Sequence, residues 1–124
     1  MRELPIAGRR ISVAISDHLV ALSAANGFEL QIEGDFELEV AHSDRRAISL
    51  TDYGISRSDL ESVLRGTITT ATVDLAGILT VDFDSAMRLV VPPDADHEAW
   101  TLVGPNGYRV VCMPGGELAV WRGA

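Results

Sequence analysis

The densest run of side chains able to do chemistry is Asp94-Ala95-Asp96-His97-Glu98, which sets three carboxylates and an imidazole within five residues. Hard cations favour such carboxylate clusters. The spacing fits them poorly. A calcium loop beginning at Asp94 needs Gly at its sixth position and an acid at its twelfth, where Ala99 and Pro105 stand. No His-x-x-x-His pair occurs among His18, His42 and His97. The ordinary reading is therefore a solvated connection between strands. The sharper readings are a contact for a partner, or a small-ligand or metal-assisted enzyme site at Asp94, Asp96, His97 and Glu98, joined by Asp82 and Asp84 if neighbouring strands bring the turns together.

Other reactive groups are isolated. Ser16-Asp17-His18 and His42-Ser43-Asp44 hold the residue types of a hydrolase triad, but a triad is assembled in space, and these types are also common turn formers. There is no Gly-x-Ser-x-Gly elbow. Cys112 lies in the apolar run Val110-Val111-Cys112-Met113 with no cation beside it to stabilise a thiolate, so it reads as a small buried hydrophobe. Gly115-Gly116 precedes a strand, and the helix N-terminus that would hold a phosphate is missing. No catalytic residue, resident metal or cofactor is assigned.

Trp100, Tyr108 and Trp121 are the remaining candidates; core packing is the ordinary duty of such rings, and an exposed contact face is the sharper reading. Aromatic side chains supply large contact area at low entropic cost, and all three fall in the last third of the chain. The expected partner surface is thus Asp94, Asp96, His97, Glu98, Trp100, Tyr108 and Trp121, with the strand Leu118 to Trp121 as an edge able to pair with another subunit.

Composition narrows the partner. The chain has 124 residues, 10 basic residues that are all Arg, 18 acidic residues and a net charge of −8. That balance disfavours binding to nucleic acid, whose affinity comes from clustered basic charge. An acidic surface suits a basic protein partner or self-association as a homodimer. A single Cys fits a reducing cytoplasm, no apolar run approaches membrane-spanning length, and Met1-Arg2-Glu3-Leu4-Pro5 lacks a following signal-length apolar stretch. The expectation is a cytoplasmic protein that binds neither membrane nor nucleic acid.

The elements that would position these groups are mostly strands. Ile11, Val13 and Ile15 alternate with small residues; Phe28, Leu30 and Ile32 alternate with Glu29, Gln31 and Glu33; Phe36, Leu38 and Val40 alternate with Glu37 and Glu39. Asn26-Gly27 and Gly34-Asp35 supply turns, so this stretch reads as a meander with one acidic, wet face. A short helix is predicted at about 58–65. Ser58 and Glu61 form a capping box, Leu60, Val63 and Leu64 share a face, and Gly66 ends it. The β pattern resumes at Thr67 and continues through Leu79-Val81-Phe83, Leu89 to Val91, Trp100 to Leu102, Tyr108 to Met113 and Leu118 to Trp121.

Residues 4–50 and 66–124 can be overlaid as two pseudo-repeats: Leu19 to Leu22 on Ile78 to Val81, and Leu30 to Ile32 on Leu89 to Val91. The predicted fold is a single domain over 1–124, mainly β (α+β), with two antiparallel meanders forming a sandwich or barrel-like roll around one short helix.

Glu98-Ala99-Trp100, Gly104-Pro105-Asn106-Gly107 and Pro114-Gly115-Gly116-Glu117-Leu118-Ala119-Val120-Trp121, with an echo in Leu4-Pro5 and Gly8-Arg9, resemble a family of small uncharacterised, mostly actinobacterial proteins. The resemblance implies a bacterial single-domain protein and no particular chemistry. That family often has Tyr before Glu-Ala-Trp, where this chain has His97, which argues against His97 as an obligatory proton carrier or metal ligand. The function expected is a non-enzymatic binding or interaction module, either self-associating or an acidic neutraliser of a basic partner.

Overall fold

A computed structural model describes residues 2–17, 19–40, 44–48 and 57–122. The strands are β1 (Arg2–Glu3), β2 (Arg10–Ser16), β3 (Leu19–Ala24), β4 (Glu29–Ile32), β5 (Phe36–Val40), β6 (Asp44–Ile48), β7 (Gly66–Val73), β8 (Leu79–Phe83), β9 (Met87–Val91), β10 (Trp100–Val103), β11 (Tyr108–Cys112) and β12 (Leu118–Arg122). One helix, α1 (Arg57–Val63), precedes β7. The chain is mainly β, as its period-2 alternation requires: β8 and β9 each bury their first, third and fifth residues and leave the others half-exposed.

The strands form one antiparallel path, β12-β11-β10-β4-β3-β2-β7-β8-β9-β5-β6, with β1 paired beside β2 on β7. The path does not close. It bends where β2 meets β7 through only two residue pairs, Arg10 with Thr67 and Ile11 with Gly66. The two half-sheets on either side of this bend share one cluster of buried side chains. Leu22, Leu30, Ile32, Trp100, Leu102, Val110 and Cys112 come from one half, and Ile68, Val73, Leu79, Val81, Leu89 and Val91 from the other. Burying a side chain of this size contributes about 1.5–3 kcal/mol before entropy is counted, so this shared layer is what holds the halves together.

The meanders differ from the expected ones in a specific way. β4 and β5 follow each other in sequence but do not pair: β4 lies against β10, and β5 against β9. The crossing occurs at Gly34, where the N–H groups of Glu33 and Gly34 both donate to Ala99 O, and where a Cβ would stand 3.3 Å from Ala99 Cα. Each meander thus keeps three strands and passes the next one to the other half.

α1 starts at Arg57, so Ser58 lies inside the helix and is not its N-cap; the residue before the helix is outside the described residues. So are His18, His42 and Ser43 of the two triad-like runs, together with the rest of 41–43 and 49–56. The apolar face of α1 is as expected. Leu60 and Leu64 are fully buried and Val63 packs against the same core. Gly66 takes φ +107, a conformation that suits glycine, and turns the chain directly into β7.

Candidate functional site

The sequence candidates separate into three places. Trp100 is a core residue. It is 0% exposed, and its indole N–H donates to Gly77 O at 3.3 Å. It presents no surface to a partner, which corrects the expectation for this residue. The thiol of Cys112 reaches the same carbonyl at 3.6 Å, and burial pushes its pKa up, which disfavours the reactive thiolate. This carbonyl belongs to the β7–β8 turn, which fits against the β11–β12 turn with no room to spare: a Cβ on Gly116 would meet Ala76 O, and one on Gly77 would meet the Gly116 backbone.

Asp94, Asp96, His97 and Glu98 form a loop that organises itself. Asp94 Oδ1 accepts the backbone N–H groups of Asp96 at 2.8 Å and His97 at 3.1 Å, and these two bonds, in that order, hold its pKa below the usual carboxylate value. Asp94 O accepts Gly115 N–H, which ties the loop to the β11–β12 turn. Among the described residues no three of His, Cys, Asp and Glu gather where one cation could be held. Asp82 and Asp84 are committed elsewhere: Asp82 to Arg88 and Thr70, and Asp84 to the Thr67 N–H.

Tyr108 and Trp121 are brought together, at the end of the β11–β12 hairpin far from that loop. β11 and β12 pair Tyr108 with Arg122 and Arg109 with Trp121. Side chains alternate, so Tyr108, Val120 and Arg122 lie on the same side as the buried Val110 and Cys112, while Arg109 and Trp121 lie on the outer side. Trp121 is 53% exposed. The Tyr108 ring is fixed by an edge-on contact with Phe28, with centroids 5.1 Å apart and planes at 78°. Phe28 in turn needs glycine at position 104, where a Cβ would strike its ring.

Two open hollows flank Tyr108. The first, about 460 Å³, lies between β12 and the N-terminal segment and is lined by Arg2, Glu3, Leu4, Pro5, Val120 and Arg122. The second, about 370 Å³, is lined by Val103, Gly104, Arg109 and Trp121. Three of the ten arginines therefore converge on one aromatic corner. None of Arg2, Arg109 and Arg122 makes an ion pair with a described carboxylate. Sequence reasoning named the two aromatics but missed the arginines, because Arg2 and Arg122 meet only through the fold.

The other half of the strand path treats its charges differently. Across β7, β8, β9 and β5 the register aligns Thr70, Asp82, Arg88 and Glu39 in one row. Arg88 Nε bonds Asp82 Oδ1 at 2.7 Å and Arg88 Nη2 bonds Oδ2 at 3.2 Å, while Thr70 Oγ1 donates to Oδ2 at 3.0 Å. The Asp82 hydrogen bond is the main reason the Arg88 pKa is raised. These groups satisfy one another.

The class defined by the fold is mainly β, an unclosed antiparallel sheet with one short helix, and Arg2, Tyr108, Arg109, Trp121 and Arg122 line hollows on its surface. No helix of the described residues is long and apolar enough to cross a membrane. The chain belongs to a family of unknown function, DUF6188, which it matches over residues 2–122. Neither the curated proteins nor the solved structures gave a match.

Proposed function

We propose that this protein is a non-enzymatic binding module whose contact surface is the corner built by Tyr108, Arg109, Trp121 and Arg122 with Arg2. The observation that supports this most is the exposure of Trp121, 53% open on the outer face of a strand at the end of the sheet path. A large apolar ring left in water beside guanidinium groups that have no ion-pair partner among the described residues is the composition of an interaction hot spot. The Asp94 to Glu98 loop serves this reading as a structural tie to the hairpin turn. The partner is a protein, and the two pseudo-repeats are read as a duplicated unit that supplies a rigid frame for the corner.

The test compares the wild-type chain and Trp121→Ser as matched baits, with equal melting temperatures checked first. A discrete protein retained by the wild type and lost by the variant supports the reading. Equal recovery by both baits overturns it, as does stabilisation by several degrees with one divalent cation that Asp96→Ala and His97→Ala abolish.

A further inference from the structure

We infer that the free edge of β12 takes up an extended, acidic peptide segment as an additional strand. The inference rests on the binding corner just described and names what that corner recognises.

The edge comes first. Among the described residues β12 pairs only with β11. Met113 N–H donates to Glu117 O, so the backbone groups of residues 117, 119 and 121 face β11. Those of Leu118, Val120 and Arg122 therefore face outward, a row of donors and acceptors set to receive a strand. Unpaired edges of this kind are templates for β-augmentation, in which main-chain bonds give affinity and pockets for alternate side chains give selectivity.

The hollows supply the second part. Side chains of an added strand alternate between the two faces of a sheet, and this hairpin has a hollow on each. Those on the inner side meet Val120, Tyr108, Arg122 and Arg2, and those on the outer side meet Trp121 and Arg109. Each hollow combines an apolar wall with at least one guanidinium.

Charge sets the third part. The chain as a whole is at −8, which would favour a basic partner, but screening limits each charge to about 8 Å at physiological salt. A docked segment responds to the nearest groups. Here those are three arginines against Glu3, divided between the two faces, so the complementary segment carries carboxylates at two neighbouring positions, one for each hollow.

The experiment titrates the full chain with the probe acetyl-Val-Val-Glu-Glu-Val-amide, whose two Glu side chains point to opposite faces, and with its Lys counterpart, while following tryptophan emission. Trp100 is enclosed, so the change reports Trp121. The Glu peptide is expected to bind saturably and to shift the emission to shorter wavelength, while the Lys peptide does not. Arg122→Glu and Arg109→Glu are each expected to weaken binding by about tenfold. Val120→Pro removes an edge-facing N–H at a position where an edge strand tolerates proline, and is expected to abolish binding. Equal binding of the Lys peptide overturns the inference, and so does binding that Val120→Pro leaves intact. If the chain instead dimerises through a contact that Val120→Pro breaks, a second copy occupies the edge; the acidic-peptide inference then fails while the binding corner stands. No binding and no dimer also overturns it, and the Trp121→Ser comparison then decides the corner separately.

Discussion

The two halves of the strand path read alike from the bend outward. β2, β3, β4, β10 and β11 on one side face β7, β8, β9, β5 and β6 on the other, and each meander is extended by strands borrowed from the opposite half. β12 is the one strand of the path without a counterpart. It is also where the polar groups stop satisfying each other. On the β7–β9 side, Asp82, Arg88 and Thr70 consume their own hydrogen-bonding capacity. On the β12 side, Arg109 and Arg122 stand beside Trp121 without a described carboxylate partner. The lesson is that guanidinium groups without a described carboxylate partner stand on β11 and β12, at the strand left over when the two halves are matched, whereas the β7–β9 side pairs its charges internally.

That contrast can be attacked from several sides. The largest effect is expected from Trp100→Ala. A fully buried indole leaves a cavity on truncation, with a loss of about 3–5 kcal/mol read by denaturant unfolding. The same change at Trp121 stays within about 0.5 kcal/mol, because an exposed ring adds little to the fold. Equal losses at the two positions would erase the distinction between support and site. Next comes Gly116→Ala, expected to cost about 1–3 kcal/mol because its φ is +101 and its Cβ would meet Ala76 O. Gly115→Ala, with φ +86 but nothing within 4 Å of a Cβ, isolates the backbone contribution and should cost less.

Arg88→Ala is expected to cost about 1 kcal/mol or less. Its side chain is 43% exposed in the ion pair, and such pairs stabilise weakly. A larger loss would make the ladder a main support of its half.

The smallest effect concerns pH. Asp94 has its pKa lowered below 3.8 in the folded chain, so its contribution is complete above the unfolded value and is lost as pH falls through the folded one. Asp94→Ala should therefore narrow the stability difference between pH 7 and pH 3 slightly, measured by thermal melts at both. A widened difference would contradict the Asx-type tie.

Much of the fold was legible in the alternation. Leu79, Val81 and Phe83 bury the side that period-2 reading assigns them, the run Leu89 to Val91 lies in β9, and Leu60 with Leu64 marks the helix face. Strand neighbours were not legible. Alternation says which way a side chain points and nothing about which strand lies alongside, so the exchange at Gly34 had no local sign beyond a glycine.

The two tryptophans carried a sharper clue in parity. Trp100 shares its side with Leu102, which marks an inward face. Trp121 shares its side with Ala119 and opposes Leu118 and Val120, which marks an outward one. The arginines of the corner had no such signal. Arg2 and Arg122 stand at opposite ends of the sequence and line one hollow only because β1 and β12 come together in space.

Turns are usually where a family tolerates added or deleted residues. The meeting of Gly77 with Gly116 removes that freedom from two turns at once, since bulk introduced in either collides with main chain in the other. A side chain added at Gly77 or Gly116 therefore displaces both turns together, and neither position is a place to graft a tag or a fluorescent probe, whereas the tip at Gly115 is open on its side-chain side.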